Sequence, residues 1–184
     1  MKELSLNILD VTKNSVTAGA DKIEITLRTA ADGWLTFTLR DNGCGMSEEV
    51  QKRVTDPFYT TRTTRKVGMG LPLLKMAAEQ TGGELRIDSS TEKGKSGTLL
   101  TATFDTGSID FMPIGDIVST VCILISGSPE VRFVFLDETE KGSVSLDTDE
   151  LKAVLGEDIS LAEPEIVAWM EGYLREQYAE RDSE

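Results

Sequence analysis

The 184-residue chain is 39% apolar and 28% charged, an ordinary balance for one globular domain with an extension. Its net charge of −13 opposes binding to phosphate backbones, so nucleic acid is not an expected partner. The most apolar stretch, residues 117–125, is broken by Ser119 and Thr120 and is too short to span a bilayer, so no membrane partner is expected either.

The charge is unevenly placed. Residues 1–105 balance 14 Lys and Arg with 14 Asp and Glu, whereas residues 106–184 hold 5 against 18, the whole imbalance. The start of the chain lacks the apolar run of a secretory signal, and Cys44 and Cys122 read as two unpaired thiols. Both features predict a cytoplasmic protein.

In chain order, residues 4–18 place Leu4, Ile8, Val11 and Ser15 at helical spacing, with Gly19 as the stop. Lys22–Arg28 and Trp34–Arg40 alternate with period two on either side of Asp32-Gly33, which predicts an antiparallel hairpin. Residues 47–67 are polar, basic and interrupted by Pro57, and read as a mobile loop around a short helix. Helical spacing resumes over Leu71–Thr81 and stops at Gly82-Gly83, and two more strands follow at Glu84–Asp88 and Gly97–Phe104.

This order, α-β-β-loop-α-β-β, predicts an α/β fold: a two-layer sandwich of a mixed sheet with helices on one face. Beyond Asp105, Ile114, Ile117, Val118, Val121, Cys122 and Ile125 form one helical stripe closed by Gly127. Val131–Leu136 and Ser143–Leu146 predict a second hairpin. Ile166, Trp169, Met170, Tyr173 and Leu174 predict a last amphipathic helix entered through Pro164. The change in composition divides the chain into a domain at 1–105 and an acidic α+β extension at 106–184, expected to face a partner and to be removable with nucleotide affinity largely spared.

Four blocks suggest chemistry. Asp10 and Asn14 lie one helical turn apart on one face. An asparagine oxygen can fill one position around Mg²⁺ and leave the others to phosphates and water, and Asp10 could act there as a general base. Asp41, at a strand end, can accept a hydrogen bond from an exocyclic amine, while Gly43 and Gly45 let the turn to Met46 pass close to a base. Gly68, Met69, Gly70 and Leu71 lead into a helix whose N-terminus favours phosphate, with Arg62, Arg65 and Lys66 upstream as a basic lid. Gly94-Lys95-Ser96-Gly97-Thr98 is the fourth block. Each has a plain alternative as cap, surface turn or solvated loop; their joint order is the signal.

Together these blocks resemble the ATP-binding domain shared by gyrase, chaperone, histidine-kinase and mismatch-repair ATPases, the Bergerat or GHKL fold. Asp10 to Ile25 is similar to the N-box of mismatch-repair proteins, Asp56 to Arg62 and Gly68 to Leu71 to the F- and G2-boxes of sensor kinases, and Gly94 to Thr98 to the G3-box. The resemblance covers residues 4–104. It implies ATP and Mg²⁺ as ligands, Asn14 as the metal ligand, and Thr98 holding adenine through Asp41 and a water.

The departures are Asp10, where hydrolysing relatives usually carry Glu, and Thr17, where kinases often carry Lys. With no histidine, the chain cannot phosphorylate a histidine of its own. The resemblance therefore implies a stand-alone histidine-kinase-like domain that hydrolyses ATP slowly or passes the γ-phosphate to a separate protein. The acidic half would favour a basic partner, and a homodimer stays open. The alternatives are a non-catalytic nucleotide-sensing module and a serine/threonine kinase of the anti-sigma-factor type.

Overall fold

Alternation of apolar residues along each strand builds one face of a single sheet. Ile23, Ile25 and Leu27 on β1 (Lys22–Thr29), Leu35, Phe37 and Leu39 on β2 (Trp34–Asp41), and Leu100, Ala102 and Phe104 on β4 (Gly97–Asp105) are all buried. The intervening residues, including Thr26, Thr36, Thr38, Thr101 and Thr103, stay partly open on the other face. The computed structural model describes residues 2–56, 58 and 69–184.

The sheet has six strands in the order β3-β4-β2-β1-β5-β6, where β3 is Leu85–Ser90, β5 Arg132–Thr139 and β6 Gly142–Asp147. All pairs are antiparallel except β1 with β5, which run parallel with Ile25 opposite Phe135. Helices α1 (Leu4–Thr17), α3 (Gly70–Gln80), α4 (Ile117–Gly127) and α6 (Pro164–Ser183) cover the apolar face: α1 packs on α3 and α4, and α4 on α6. Helix α2 (Glu48–Arg53) lies beside β3. The expected α/β sandwich with helices on one face is what forms. Of the loop expected over 47–67, only the part up to Asp56, with Phe58, is among the described residues.

The sheet runs straight across residue 105. Strands β5 and β6 extend it on the far side of β1, and Phe133, Phe135, Val144, Val121 and Ile125 belong to the same buried cluster as Ile8 and Phe37. The carbonyls of Pro113 and Ile114 accept the first backbone N–H groups of α1, from Leu4 (2.9 Å) and Ser5 (2.8 Å). A helix leaves four such groups without an internal partner, and here the C-terminal half supplies two of the acceptors. Residues 106–184 therefore share the sheet, the buried core and the α1 cap with the first half.

Three further differences have local causes. The helix expected from Ile114 starts at Ile117, because the Ile114 carbonyl is engaged by Ser5 and Asp116 caps α4 by accepting from the Ser119 N–H (3.0 Å) and hydroxyl (2.7 Å). Helix α5 (Thr148–Leu155) was not expected. Its signal is a capping pattern: Asp147 accepts from Asp149 N–H, and Glu150 stands three residues after the cap. On α6, Met170 and Leu174 are buried, but Trp169 and Tyr173 fall on the flank and stack on each other in solvent, with centroids 5.1 Å apart.

Helix α6 is fastened by one buried polar cluster. Asp137 points from β5 to the helices, accepts from the Tyr178 hydroxyl (2.6 Å) and lies 3.2 Å from Arg181 Nη1. That nitrogen is off the hydrogen-bond line, so the contact is an ion pair. Burial, then the Asp137 charge, pushes the Tyr178 phenol above its ordinary pKa, so it stays a donor throughout the accessible pH range. Tyr178→Phe should lower stability by about 1.5–3 kcal/mol, since the lost bond goes to a charged acceptor, read as a shifted urea midpoint at constant m. Truncation after residue 105 should abolish cooperative unfolding altogether, followed by far-UV circular dichroism.

Candidate functional site

The end of α1, the turn after β2 and the start of α3 meet above the ends of β2 and β4. Asp41 closes β2 and its carboxylate is held on both oxygens: Ser15 Oγ donates to Oδ2 (2.5 Å) and Gly43 N–H to Oδ1 (2.9 Å). Asn42 locks the neighbouring loop, accepting from the N–H groups of Asp21 (3.0 Å) and Lys22 (3.1 Å) and donating to the Asp21 carboxylate (2.6 Å). The Cys44 N–H donates to the Ala18 carbonyl (2.9 Å), so the turn is stitched to the end of α1.

Two glycines are required by the protein's own backbone rather than by a base. Gly45 has φ +71°, and a Cβ there would lie 1.8 Å from the Ser90 carbonyl oxygen. Gly97 has φ +144°, and a Cβ there would come within 2.2 Å of the Asp41 carbonyl oxygen. The turn and the β3–β4 hairpin thus touch backbone to backbone, an approach open only to glycine.

The result is a cavity of about 490 Å³ lined by Asn14, Asp41, Gly45, Met46, Leu71 and Thr98, together with Val11, Ser15, Cys44, Val50, Val54 and Leu100. Six of the residues singled out in the sequence therefore converge. Gly43 sits just behind Asp41. Asp10 lies beside the N-terminus of α3, where a Cβ on Gly70 would be 3.3 Å from its own Cβ. Met69 is the cap residue of α3 and supplies no capping side chain, and the first turn carries no acid, so its N–H groups and dipole are suited to an anion. Arg62, Lys66 and Gly68 lie outside the described residues.

Sequence reasoning missed Ser15 as a partner of Asp41, because a serine on an apolar helical stripe reads as core. It also missed Val50, Val54 and Leu100 as apolar walls, which only the packing of α2 and β4 reveals. A second cavity of similar volume opens on the other side of the sheet, lined by Lys22, Glu24, Arg40 and Asp88, and shares Asp41 and Thr98 with the first. Its three cations, Lys22, Arg40 and Lys95, face the carboxylates of Glu24, Asp41 and Asp88, so it lacks the apolar walls that a nucleobase needs.

Comparison with known proteins agrees with this geometry. The family model of histidine kinase-, DNA gyrase B- and HSP90-like ATPases matches residues 1–108, and the chain belongs to that family. Sporulation kinase E of Bacillus subtilis (strain 168) is 33% identical over 96 residues, 51% of this chain and 12% of that one. The signal transduction histidine-protein kinase AtoS of Escherichia coli (strain K12) is 32% identical over 100 residues, 54% of this chain and 16% of that one. The chain thus spans a small part of the length of these relatives.

In fold it is similar to the Aquifex aeolicus MutL ATPase domain complexed with ADP, with a TM-score of 0.56 at 14% identity, covering 84% of this chain and 69% of that one. At 84% of this chain, that coverage reaches past residue 108, so the shared fold extends into the C-terminal half. The protein therefore carries a histidine-kinase-like ATPase domain that binds ATP. Among the described residues, no helix is long and apolar enough to cross a membrane, and no group of three or more His, Cys, Asp or Glu could hold a metal.

The two thiols provide a direct test of the cavity. Cys44 is exposed on its wall, whereas Cys122 is buried in α4, where burial pushes its thiol up to about 11. Since the thiolate is the reactive form, alkylation at pH 7.5 should modify Cys44 and spare Cys122. Saturating ATP should slow modification of Cys44 at least severalfold, measured by mass spectrometry of the time course.

Proposed function

We propose that this chain binds Mg-ATP in the cavity between α1, the 41–46 turn and α3, and passes the γ-phosphate to a separate protein or hydrolyses it slowly. The observation that carries this reading is the Asp41 carboxylate, fixed by Ser15 and Gly43 at the floor of a largely apolar cavity, with the start of α3, where Met69 offers no capping side chain, at its other end. A base amine fits the first and phosphates fit the second.

Asn14 and Asp10 offer oxygen donors one turn apart on α1, which suits a hard cation held mostly by phosphate oxygens. When bound, Mg²⁺ supplies charge neutralisation at the phosphates. Asn14 would hold it through its amide oxygen. Asp10, beside Gly70, is placed to take a proton from the attacking hydroxyl or water. Its side chain is one methylene shorter than the glutamate of hydrolysing relatives, which supports slow turnover or transfer in trans over rapid hydrolysis.

The partner we propose is basic. On the exposed flank of α6, Trp169 and Tyr173 stack among Glu165, Glu176 and Glu180, none of which forms an ion pair among the described residues. An Arg- or Lys-rich segment matches both the charge and the aromatic faces. We further place the protein in the cytoplasm, on its two unpaired thiols.

Asp41→Asn should weaken ATP roughly ten- to a hundredfold by calorimetry, the cost of losing a charge-assisted hydrogen bond. Asn14→Ala should weaken Mg-ATP far more than metal-free ATP. Asp10→Asn should bind normally but lose turnover, since an amide cannot accept the proton. Full affinity in Asp41→Asn would place the pocket elsewhere, and parental turnover in Asp10→Asn would remove the general base.

A further inference from the structure

The second cavity lies on the face of the sheet opposite the helices, and strand register sets its charge pattern. Glu24 on β1 stands opposite Arg40 on β2, Arg40 opposite Leu99 on β4, and Leu99 opposite Asp88 on β3. These residues form one row across four strands, and all four line the cavity. The row reads acid, base, apolar, acid. Glu24 lies 3.2 Å from Lys22 Nζ and 3.8 Å from Arg40 Nε, so one carboxylate is shared by two cations. Lys95, from the turn between β3 and β4, brings a third cation to the cavity and is held only loosely by Glu92 at 3.8 Å. On the far side of Leu99, Asp88 forms no ion pair among the described residues.

One wall thus carries surplus positive charge and the other an unpaired carboxylate. A simple anion meets Asp88, and a simple cation meets Lys22, Arg40 and Lys95; a molecule with both charges satisfies both walls. Neighbouring strands lie about 4.8 Å apart, so Arg40 and Asp88 start about 10 Å from each other. A charged hydrogen bond of about 2.8 Å at each end leaves about 4–5 Å between the ligand's own charges. That is the span of a short methylene chain, which the half-buried Leu99 between the two walls meets with apolar surface.

We propose that this cavity is a second ligand site, for a small zwitterion of the ω-amino acid class, with its carboxylate on Arg40, Lys22 and Lys95 and its ammonium on Asp88. The site backs onto the first cavity: Asp41 and Thr98 pair in register and line both. On the nucleotide reading of that first cavity, a ligand that bridges β2 and β3 across β4 braces the strand ends that carry its floor, and so raises its affinity for ATP. Coupling of this kind is reciprocal, so ATP tightens the zwitterion by the same factor.

The test is calorimetry on the full chain with 4-aminobutanoate, and with butanoate and butylamine as its singly charged counterparts. The zwitterion should bind roughly tenfold more tightly than either, the worth of one charge-assisted hydrogen bond. Arg40→Gln should weaken it by a similar factor, and Asp88→Asn should remove its advantage over butanoate, a loss of selectivity that a merely structural role would not produce. Both side chains are exposed, so both variants should fold, checked by circular dichroism. Saturating 4-aminobutanoate should tighten ATP severalfold in the parent and leave it unchanged in Asp88→Asn. No binding of 4-aminobutanoate, equal binding of butanoate, or full affinity in both variants overturns the site. Equal ATP affinity with and without bound zwitterion overturns the coupling. A chain that binds 4-aminobutanoate but no ATP overturns the nucleotide reading and leaves the second site standing.

Discussion

Helix α1 is held at both ends by segments far from it in sequence, and the rest of the molecule is arranged around that capture. Its first N–H groups are received by the Pro113 and Ile114 carbonyls, and its last turn is tied to the 41–44 turn through Ser15, Asp41, Ala18 and Cys44. Between these ends, Leu4, Ile8 and Val11 are buried against the sheet. Asp10 and Asn14 thus project from a helix that cannot slide or rotate without breaking contacts in both halves of the chain. On the proposed function, positioning of this kind is what phosphoryl chemistry would ask of the protein, since little of the barrier is met by covalent steps.

On the proposed function, a base would sit at the Asp41 end of the cavity, whose floor is built on hydrogen-bond polarity. Ser15 and the Gly43 N–H each donate to Asp41 there, one to each carboxylate oxygen, so that the carboxylate is left as acceptor surface for a ligand. Such an arrangement is costly to leave empty of donors in a dry pocket, and the apolar walls from Val11, Met46, Leu71 and Leu100 make it dry when a base is present. At the other end, the start of α3 offers its dipole and backbone N–H groups, and the described residues add no buried cation.

The sheet's two edges are blunted by the same device. On β6, Gln177 of α6 accepts from the Ser145 N–H (3.1 Å) and donates to the Ser145 carbonyl (3.0 Å). On β3, Gln51 of α2 donates to the Ser89 carbonyl. A glutamine side chain copies one residue of a further strand and occupies the groups through which another chain could add. The difference is functional. Gln177 only closes an edge, whereas Gln51 also holds the Met46 peptide, so covering that edge and shaping the site are one interaction.

Local pattern made much of this legible. Period-two alternation marked β1 to β6, helical stripes marked α1, α3, α4 and α6, and glycine turns with Asp41 marked the pocket, because each depends on residues close in sequence or on backbone conformations only glycine reaches. Tertiary structure alone decided that β5 pairs in parallel with β1, which joins the acidic half to the first half as one sheet, since strand pairing at long separation leaves no local trace. It also decided that Trp169 and Tyr173 face solvent while their neighbours Met170 and Leu174 are buried, because the width of a helix's buried stripe is set by what packs on it. The role of Ser15 was decided the same way: a serine's chemistry depends on which groups surround its single proton, and the α1 hydroxyl meets the Asp41 carboxylate of β2 only once the chain has folded.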